Sequence, residues 1–306
     1  MGAVALFVIA VAPGLFIMWY IHHKDKYEPE PKGLIIATFF IGVGAAVPAS
    51  LVEILFEWGL GIPTEGNIPA AFINAFLVVA PAEEIAKYLS VRVKAYRSPA
   101  FNEVMDGIVY SVAAALGFAT IENILYVYQL GFAVGILRAV CSVPMHALCG
   151  AIIGYYLGMN KMNAGSKRHF ILAGLAIAIV FHGAYDFVLF TGTFLGFLII
   201  PIMFWLYRIY RRRLLLALAG SPFRGARDEG LFLALAKHRT PAGIIKTAVG
   251  VVLLTFSAVM TTGAVVSVSS GNLFSARQYG YIAFLVIVPL IIGIILFILA
   301  RKDVVT

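Results

Sequence analysis

Long apolar runs separated by short charged clusters dominate this chain, and the runs have membrane-crossing length. A spanning helix needs about 20 apolar residues. Nine stretches meet or approach that length: 3–21, 34–59, 68–91, 104–128, 132–158, 170–190, 193–210, 242–268 and 279–300. The pattern predicts an all-α fold, a polytopic membrane helix bundle of about nine transmembrane helices. Between spans one and two the sequence turns to Lys24-Asp25-Lys26-Tyr27-Glu28-Pro29-Glu30-Pro31-Lys32. The prolines there exclude a continuing helix and predict an ordered turn at the interface. The longest hydrophilic stretch, 211–241, still contains Leu231-Phe232-Leu233, so no soluble domain is expected.

Composition agrees with this picture: 61% of the 306 residues are hydrophobic and only 12% are charged, which excludes an ordinary soluble domain. The basic residues then orient the bundle. Lys24, Lys26 and Lys32 follow span one; Arg92, Lys94 and Arg97 follow span three; Lys161, Lys167 and Arg168 follow span five. A further cluster from Arg208 to Lys246 follows span seven, and Arg301 and Lys302 close the chain. Arg277 alone falls in an opposite loop. The positive-inside rule makes the basic side cytoplasmic, with the N-terminus outside and the C-terminus inside. The net charge of +8 is therefore a topology signal. Its expected partner is the anionic face of the lipid bilayer, not nucleic acid. The first span has no basic n-region, and His22-His23-Lys24 lies on its far side, so it reads as a retained helix. Cys141 and Cys149 are both placed in span five, about 12 Å apart along a helix, too far for a disulfide.

Ionisable residues inside the spans change the picture most. Span three carries Glu83, Glu84 and Lys87; span four, Glu122; span five, His146; span six, His182 and Asp186. Each charge at bilayer depth costs at least ~2.5 kcal/mol on insertion scales, so such residues usually mark function. Counted at 1.5 Å per residue, Glu83, Glu122, His146 and His182 lie within roughly 10 Å of one another in depth. Lys87 is one helical turn from both glutamates and can pair with either. Asp186 is one turn from His182 and can fix its tautomer. Pro144 is expected to loosen span five just before His146. Single residues also have plainer readings: Arg138 as an ion-pair partner of Glu122, Asp106 as a helix-N-terminal charge, Glu53 and Glu57 as interfacial groups or as the lining of an access path. Together the carboxylates and imidazoles suit hydrolysis by an activated water, with a buried glutamate as base. Two His and two Glu would equally suit zinc. No His-Glu-x-x-His or Gly-x-Ser-x-Gly occurs, so zincin and serine-hydrolase arrangements are not indicated.

Three motifs carry a family resemblance. Glu83-Glu84-Ile85-Ala86-Lys87, Phe118-Ala119-Thr120-Ile121-Glu122 and His182-Gly183-Ala184-Tyr185-Asp186 resemble, in order, the motifs of the PrsW intramembrane proteases. Pro144-Met145-His146, Asp106-Gly107 and the Tyr27–Pro31 turn fit the same pattern. The resemblance covers about 1–190 and implies kinship with the wider CAAX-protease and Abi group. It implies an intramembrane endopeptidase cutting a membrane-anchored protein such as an anti-sigma factor, in a site-1-type cleavage. The catalytic set it implies is Glu83, Glu84, Glu122, His146, His182 and Asp186. Glu83 would activate the water and Glu84 would position it. Glu122 and His146 would share a proton, and His182, oriented by Asp186, would stabilise the oxyanion. If a divalent metal such as Zn2+ is bound, Glu83, Glu122, His146 and His182 would hold it; a metal-free glutamate mechanism fits as well. The expected organisation is a catalytic membrane core, 1–190, and accessory helices with a basic cytoplasmic loop, 191–306. The expected location is a bacterial or archaeal cytoplasmic membrane. The rival reading is a proton- or ion-coupled transporter, which would predict inverted repeats; the sequence shows no internal repeat.

Overall fold

The computed structural model describes residues 2–60, 68–163, 168–192 and 194–224, with shorter pieces at 238–239, 287–296 and 304–305 and single residues 246, 250, 253 and 257. The chain divides into two compact units, 1–236 and 237–306. In the first, α1 (Ala3–Lys24) and α2 (Lys32–Leu60) are followed by α3 (Ile68–Ile73). A π-helical segment, Asn74–Val79, joins α3 to α4 (Ala80–Val93). Then come α5 (Val104–Leu130), α6 (Phe132–Val140), α7 (Ser142–Met162), α8 (Arg168–Phe190) and α9 (Ile199–Ala219). Within the second unit, β1 (His238–Arg239) pairs antiparallel with β2 (Val304–Val305), and Ile287–Leu296 is a short apolar helix.

Among the described residues, six helical stretches are long and apolar enough to cross a membrane: Ala3–Lys24, Lys32–Phe56, Ile68–Arg97, Val104–Leu130, Phe132–Met162 and Arg168–Phe190. They correspond to the first six predicted spans. The seventh differs. Its helix starts at Ile199, after a 3-10 turn over Phe194–Leu198, and continues through Arg208, Arg211, Arg212 and Arg213. Arginine and leucine are both good helix formers, so the helix does not end where its apolar run ends. With four arginines, α9 is not among the six. Buried Arg213 ties it to α7 by donating to the Tyr156 hydroxyl at 2.8 Å. The spans expected at 242–268 and 279–300 fall largely outside the described residues.

Helix α5 is the axis of the first unit, with most of its length buried from Met105 to Thr120. Its small residues let neighbours approach closely. A Cβ on Gly107 would run into the Gly154 carbonyl of α7, and one on Gly117 would run into the Phe39 carbonyl of α2. Such close approach stands in for the hydrophobic drive that lipid removes. The outer helices expose large apolar side chains, among them Phe7, Phe16, Phe40, Leu55, Leu137 and Leu172, as expected where lipid is the solvent.

Two local departures from α-helix adjoin the polar residues of the bundle. Pro81, in the first turn of α4, has no N–H to give the Leu77 carbonyl and would crowd it. The wider π turn over Asn74–Val79 absorbs that conflict, and such bulges are frequent at functional sites. Pro144 likewise interrupts predicted span five. The chain breaks at Cys141, so α6 and α7 are separate helices and α7 begins immediately before His146.

Candidate active site

Glu83, Glu84 and Lys87 occupy one side of α4 immediately after the π segment, and all three are buried. Phe118 and Glu122 lie one turn apart on α5. His146 comes from the first turns of α7, and His182 and Asp186 from α8. The π segment seats against α8 next to His182: a Cβ on Gly183 would meet the Phe76 ring at 2.6 Å. Six side chains expected to converge, Glu83, Glu84, Glu122, His146, His182 and Asp186, do so around Lys87.

Lys87 Nζ is the centre. It lies 2.9 Å from Glu83 Oε2, 2.8 Å from Glu84 Oε1 and 2.8 Å from His146 Nδ1, and 4.5 Å from the centroid of the Phe118 ring. An ammonium only donates, so Nδ1 of His146 must accept and the ring proton sits on Nε2. That nitrogen faces Glu122 Oε2 at 3.1 Å. Glu122 is held from its other side by Arg138 Nη2 at 3.1 Å, and Arg138 Nε donates to Asn123 Oδ1 at 2.9 Å. His182 has Glu84 Oε1 at 2.7 Å from Nδ1 and Asp186 Oδ2 at 3.1 Å from Nε2. Carboxylates on both ring nitrogens suit the doubly protonated imidazolium. The two imidazole rings stand edge to face, centroids 5.1 Å apart.

Three details differ from the sequence expectation. Asp186 Oδ2 lies 3.1 Å from His182 Nε2 without completing a hydrogen bond, and the other ring nitrogen meets Glu84 and is not left free toward a cavity. The four groups able to share one ion are Glu83, Glu84, His146 and His182, with ligand atoms within 4.8 Å of one another; Glu84 takes the place expected of Glu122, which is drawn off by Arg138. Lys87 reaches across to His146, 59 positions away in sequence, which no local spacing could reveal. Glu53, expected to be interfacial or to line an access path, lies near enough to feel the charges of Glu83, Glu122 and Asp186.

The donor set of two carboxylates and two imidazoles matches zinc chemistry. Glu84 Oε2 is buried without a hydrogen-bond partner, an acceptor still lacking a positive neighbour. The residues therefore fit a metal, which would compete with Lys87 for three of the same four donors. Beside α4, an apolar groove of about 620 Å³ runs between Gly44, Ala45 and Pro48 of α2 and Pro81, Ala82 and Ala86 of α4.

A second buried acidic group lies where the α1–α2 turn meets the start of α5. Asp106 caps α5, its Oδ2 accepting from the amides of Asn102 at 2.6 Å and Glu103 at 2.7 Å. Glu30 accepts from the Tyr110 hydroxyl, and Glu28 Oε1 accepts from Asn102 Nδ2 at 3.2 Å. Burial pushes the Asp25 carboxyl up to about 7, helped by the Glu103 and Asp106 charges. Burial also raises Glu103 to about 7 and, with Asp106 beside it, raises Glu30 as well.

Residues 30–209 match the family model described as PrsW family intramembrane metalloprotease. Curated relatives named Protease PrsW are similar over most of their own length. The chain is 36% identical over 203 residues to that of Oceanobacillus iheyensis, covering 66% of this chain and 91% of the relative. It is 34% identical over 212 residues to that of Shouchella clausii, covering 68% and 95%. With the Bacillus subtilis protein it shares 32% over 204 residues, covering 66% and 91%. No solved structure matches the chain.

Proposed function

The chain belongs to the PrsW family of intramembrane proteases, and from that premise we propose that it hydrolyses a peptide bond in a membrane-anchored protein, with Glu83 as the base that activates the water. Membership also sets the transporter reading aside. The observation that carries the proposal is the convergence of Glu83, Glu84, Glu122, His146 and His182 from four helices on one buried cluster: Glu83, Glu84 and His146 contact the Lys87 ammonium, Glu122 faces His146 and His182 pairs with Glu84. A packing role would need no such set of proton-exchanging groups at one point inside a membrane bundle.

The roles follow from the contacts. Glu83 is the less deeply buried of the paired glutamates, 5% exposed against 0% for Glu84, and on that basis it is assigned as the one that would meet the water. It takes one proton as the water oxygen bonds to the scissile carbonyl carbon. That proton is then delivered to the leaving nitrogen as the C–N bond breaks. Glu84 holds Lys87 and His182 in place. The positive charges of Lys87 and His182 face the region where the carbonyl oxygen becomes negative, and in a dry pocket such charges act strongly. Arg138 and Glu122 fix the His146 ring. In the metal-bound alternative His182 would be neutral, and Glu83, Glu84, His146 and His182 would hold a divalent ion, zinc by donor type, which would polarise a carbonyl and acidify water. Catalysis would rest in 1–190, with 191–306 as accessory helices. The nine-span topology, with the N-terminus outside and the C-terminus cytoplasmic, belongs to the same proposal.

The groove between α2 and α4 suits a transmembrane helix of a substrate such as an anti-sigma factor. Its small residues allow a close approach, and the helix that forms one wall also carries Glu83. The test is cleavage of a single-span membrane protein by purified enzyme in detergent, before and after chelation and zinc restoration. The proposal expects a defined cut, lost on chelation if the metal is required. A set of such substrates left intact under every metal condition would overturn it.

A further inference from the structure

A second group of carboxylates stands apart from the hydrolytic cluster, and the reaction does not use it. Asp25 follows the end of α1, Glu30 sits in the turn before α2, and Asp106 is in the first turn of α5. One oxygen from each lies within 4.8 Å of the other two. Asp25 is 1% exposed, Glu30 3% and Asp106 0%. Some acceptor capacity is used: Asp106 Oδ2 caps α5, and Glu30 Oε2 takes the Tyr110 hydroxyl. The rest is not. Both oxygens of Asp25 and Oδ1 of Asp106 are buried without a hydrogen-bond partner. The Glu30 backbone amide lies beside Asp25 but completes no hydrogen bond to either oxygen. Lys161 feels the Asp106 and Glu30 charges, yet its ammonium donates to the carbonyls of Tyr96 at 2.7 Å and Ser98 at 3.1 Å.

Three carboxylates gathered this tightly repel one another, and a buried carboxylate with no donor is costly. We propose that Asp25, Glu30 and Asp106 form a binding site for a hard divalent cation, of the Ca2+ or Mg2+ class, which ties the α1–α2 turn to the start of α5. Donor chemistry sets the class. All donors are oxygens, with no imidazole or thiolate among them, and such sets favour Ca2+, Mg2+ or Mn2+ over zinc. The mixed oxygen and nitrogen set around Lys87 is its opposite in this respect, so the two clusters would take different ions. Pro29 and Pro31 stiffen the turn that carries Glu30, and the Asn102–Glu28 hydrogen bond already joins it to the α5 approach. The ion would complete that junction.

The test uses Tb3+ as the probe on full-length protein in detergent, reading its tyrosine-sensitised emission. Three proteins are compared: wild type, Asp25→Asn, and a Glu83→Gln/Glu84→Gln control that removes carboxylates of the other cluster. The proposal expects emission in wild type and control alike, displaced by Ca2+ or Mg2+. In Asp25→Asn the Tb3+ affinity should fall roughly tenfold or more, because ligand charge sets affinity in oxygen sites. Equal affinity in Asp25→Asn and wild type overturns the proposal, as does emission that vanishes in the control. Should Asp25→Asn fail to fold, the control protein's thermal midpoint decides: a rise on adding Ca2+ or Mg2+ supports the site, and no change refutes it, protons alone then neutralising the group. No arm reads cleavage, so failure here leaves the hydrolytic proposal standing.

Discussion

At the scale of single residues, Lys87 determines whether two adjacent glutamates can be buried at all. Its ammonium meets Glu83, Glu84 and His146 at 2.8–2.9 Å. Removing one partner of a buried ion pair costs about 3–5 kcal/mol, because the remaining charge is left without compensation. Lys87→Met should therefore lower the thermal midpoint in detergent by several degrees and abolish cleavage. Lys87→Met combined with Glu84→Gln should recover part of the stability and none of the activity. An unchanged midpoint in Lys87→Met would show that protons, not the ammonium, neutralise the pair. The sequence displayed these residues well: Glu83–Lys87, Phe118–Glu122 and His182–Asp186 are all one-turn spacings, which pattern reading detects. It could not display partners brought in by tertiary packing. The Glu84–His182 contact joins residues 98 positions apart, and it shifts the metal-compatible set from Glu122 to Glu84. Asp25 was hidden for the same reason, appearing in sequence as one charge among several in the ordered interfacial turn.

At the scale of elements, the site depends on two irregularities forced by proline. The π segment Asn74–Val79 accommodates Pro81 and fixes the rotation at which α4 presents Glu83 and Glu84. A π turn holds one residue more than the α-helix it replaces, so deleting Leu77 should convert the segment to regular helix with its flanks still in register and Pro81 pressed against the carbonyl one turn before it. The expected outcome is normal membrane insertion with cleavage lost. Retained cleavage would mean the bulge is incidental. The Cys141 break was legible only in part: Pro144 announces a loosened span five, not two separate helices. The end of α9 was not legible, because the arginines that end the apolar run do not end the helix. Packing between elements rests on small residues. Gly107→Val would drive a side chain into the Gly154 carbonyl, and overpacking of this kind costs about 1–3 kcal/mol or more. It should lower the thermal midpoint and reduce the yield of folded protein.

At the scale of the whole molecule, the six apolar helices of the first unit make it a multi-pass membrane protein, and charge distribution proposes its orientation. Single cysteines placed at Lys26 and Lys94 in a protein lacking Cys141 and Cys149 should react with impermeant reagent only from the cytoplasmic side. One placed at Gly131, in the α5–α6 turn, should react only from outside. The reverse pattern would invert the proposed topology and leave the chemistry intact. Everything functional then returns to one point in the bundle, and a single comparison addresses it: the rate at which purified wild type, Glu83→Gln, Glu84→Gln and His182→Ala cut the same single-span substrate, each protein first shown to be folded. Loss of a positioned general base costs typically 10²–10⁴-fold, so Glu83→Gln should fall by at least that much, with Glu84→Gln and His182→Ala also severely impaired. Cleavage at the wild-type rate in all three folded variants would contradict the account and move the active site elsewhere.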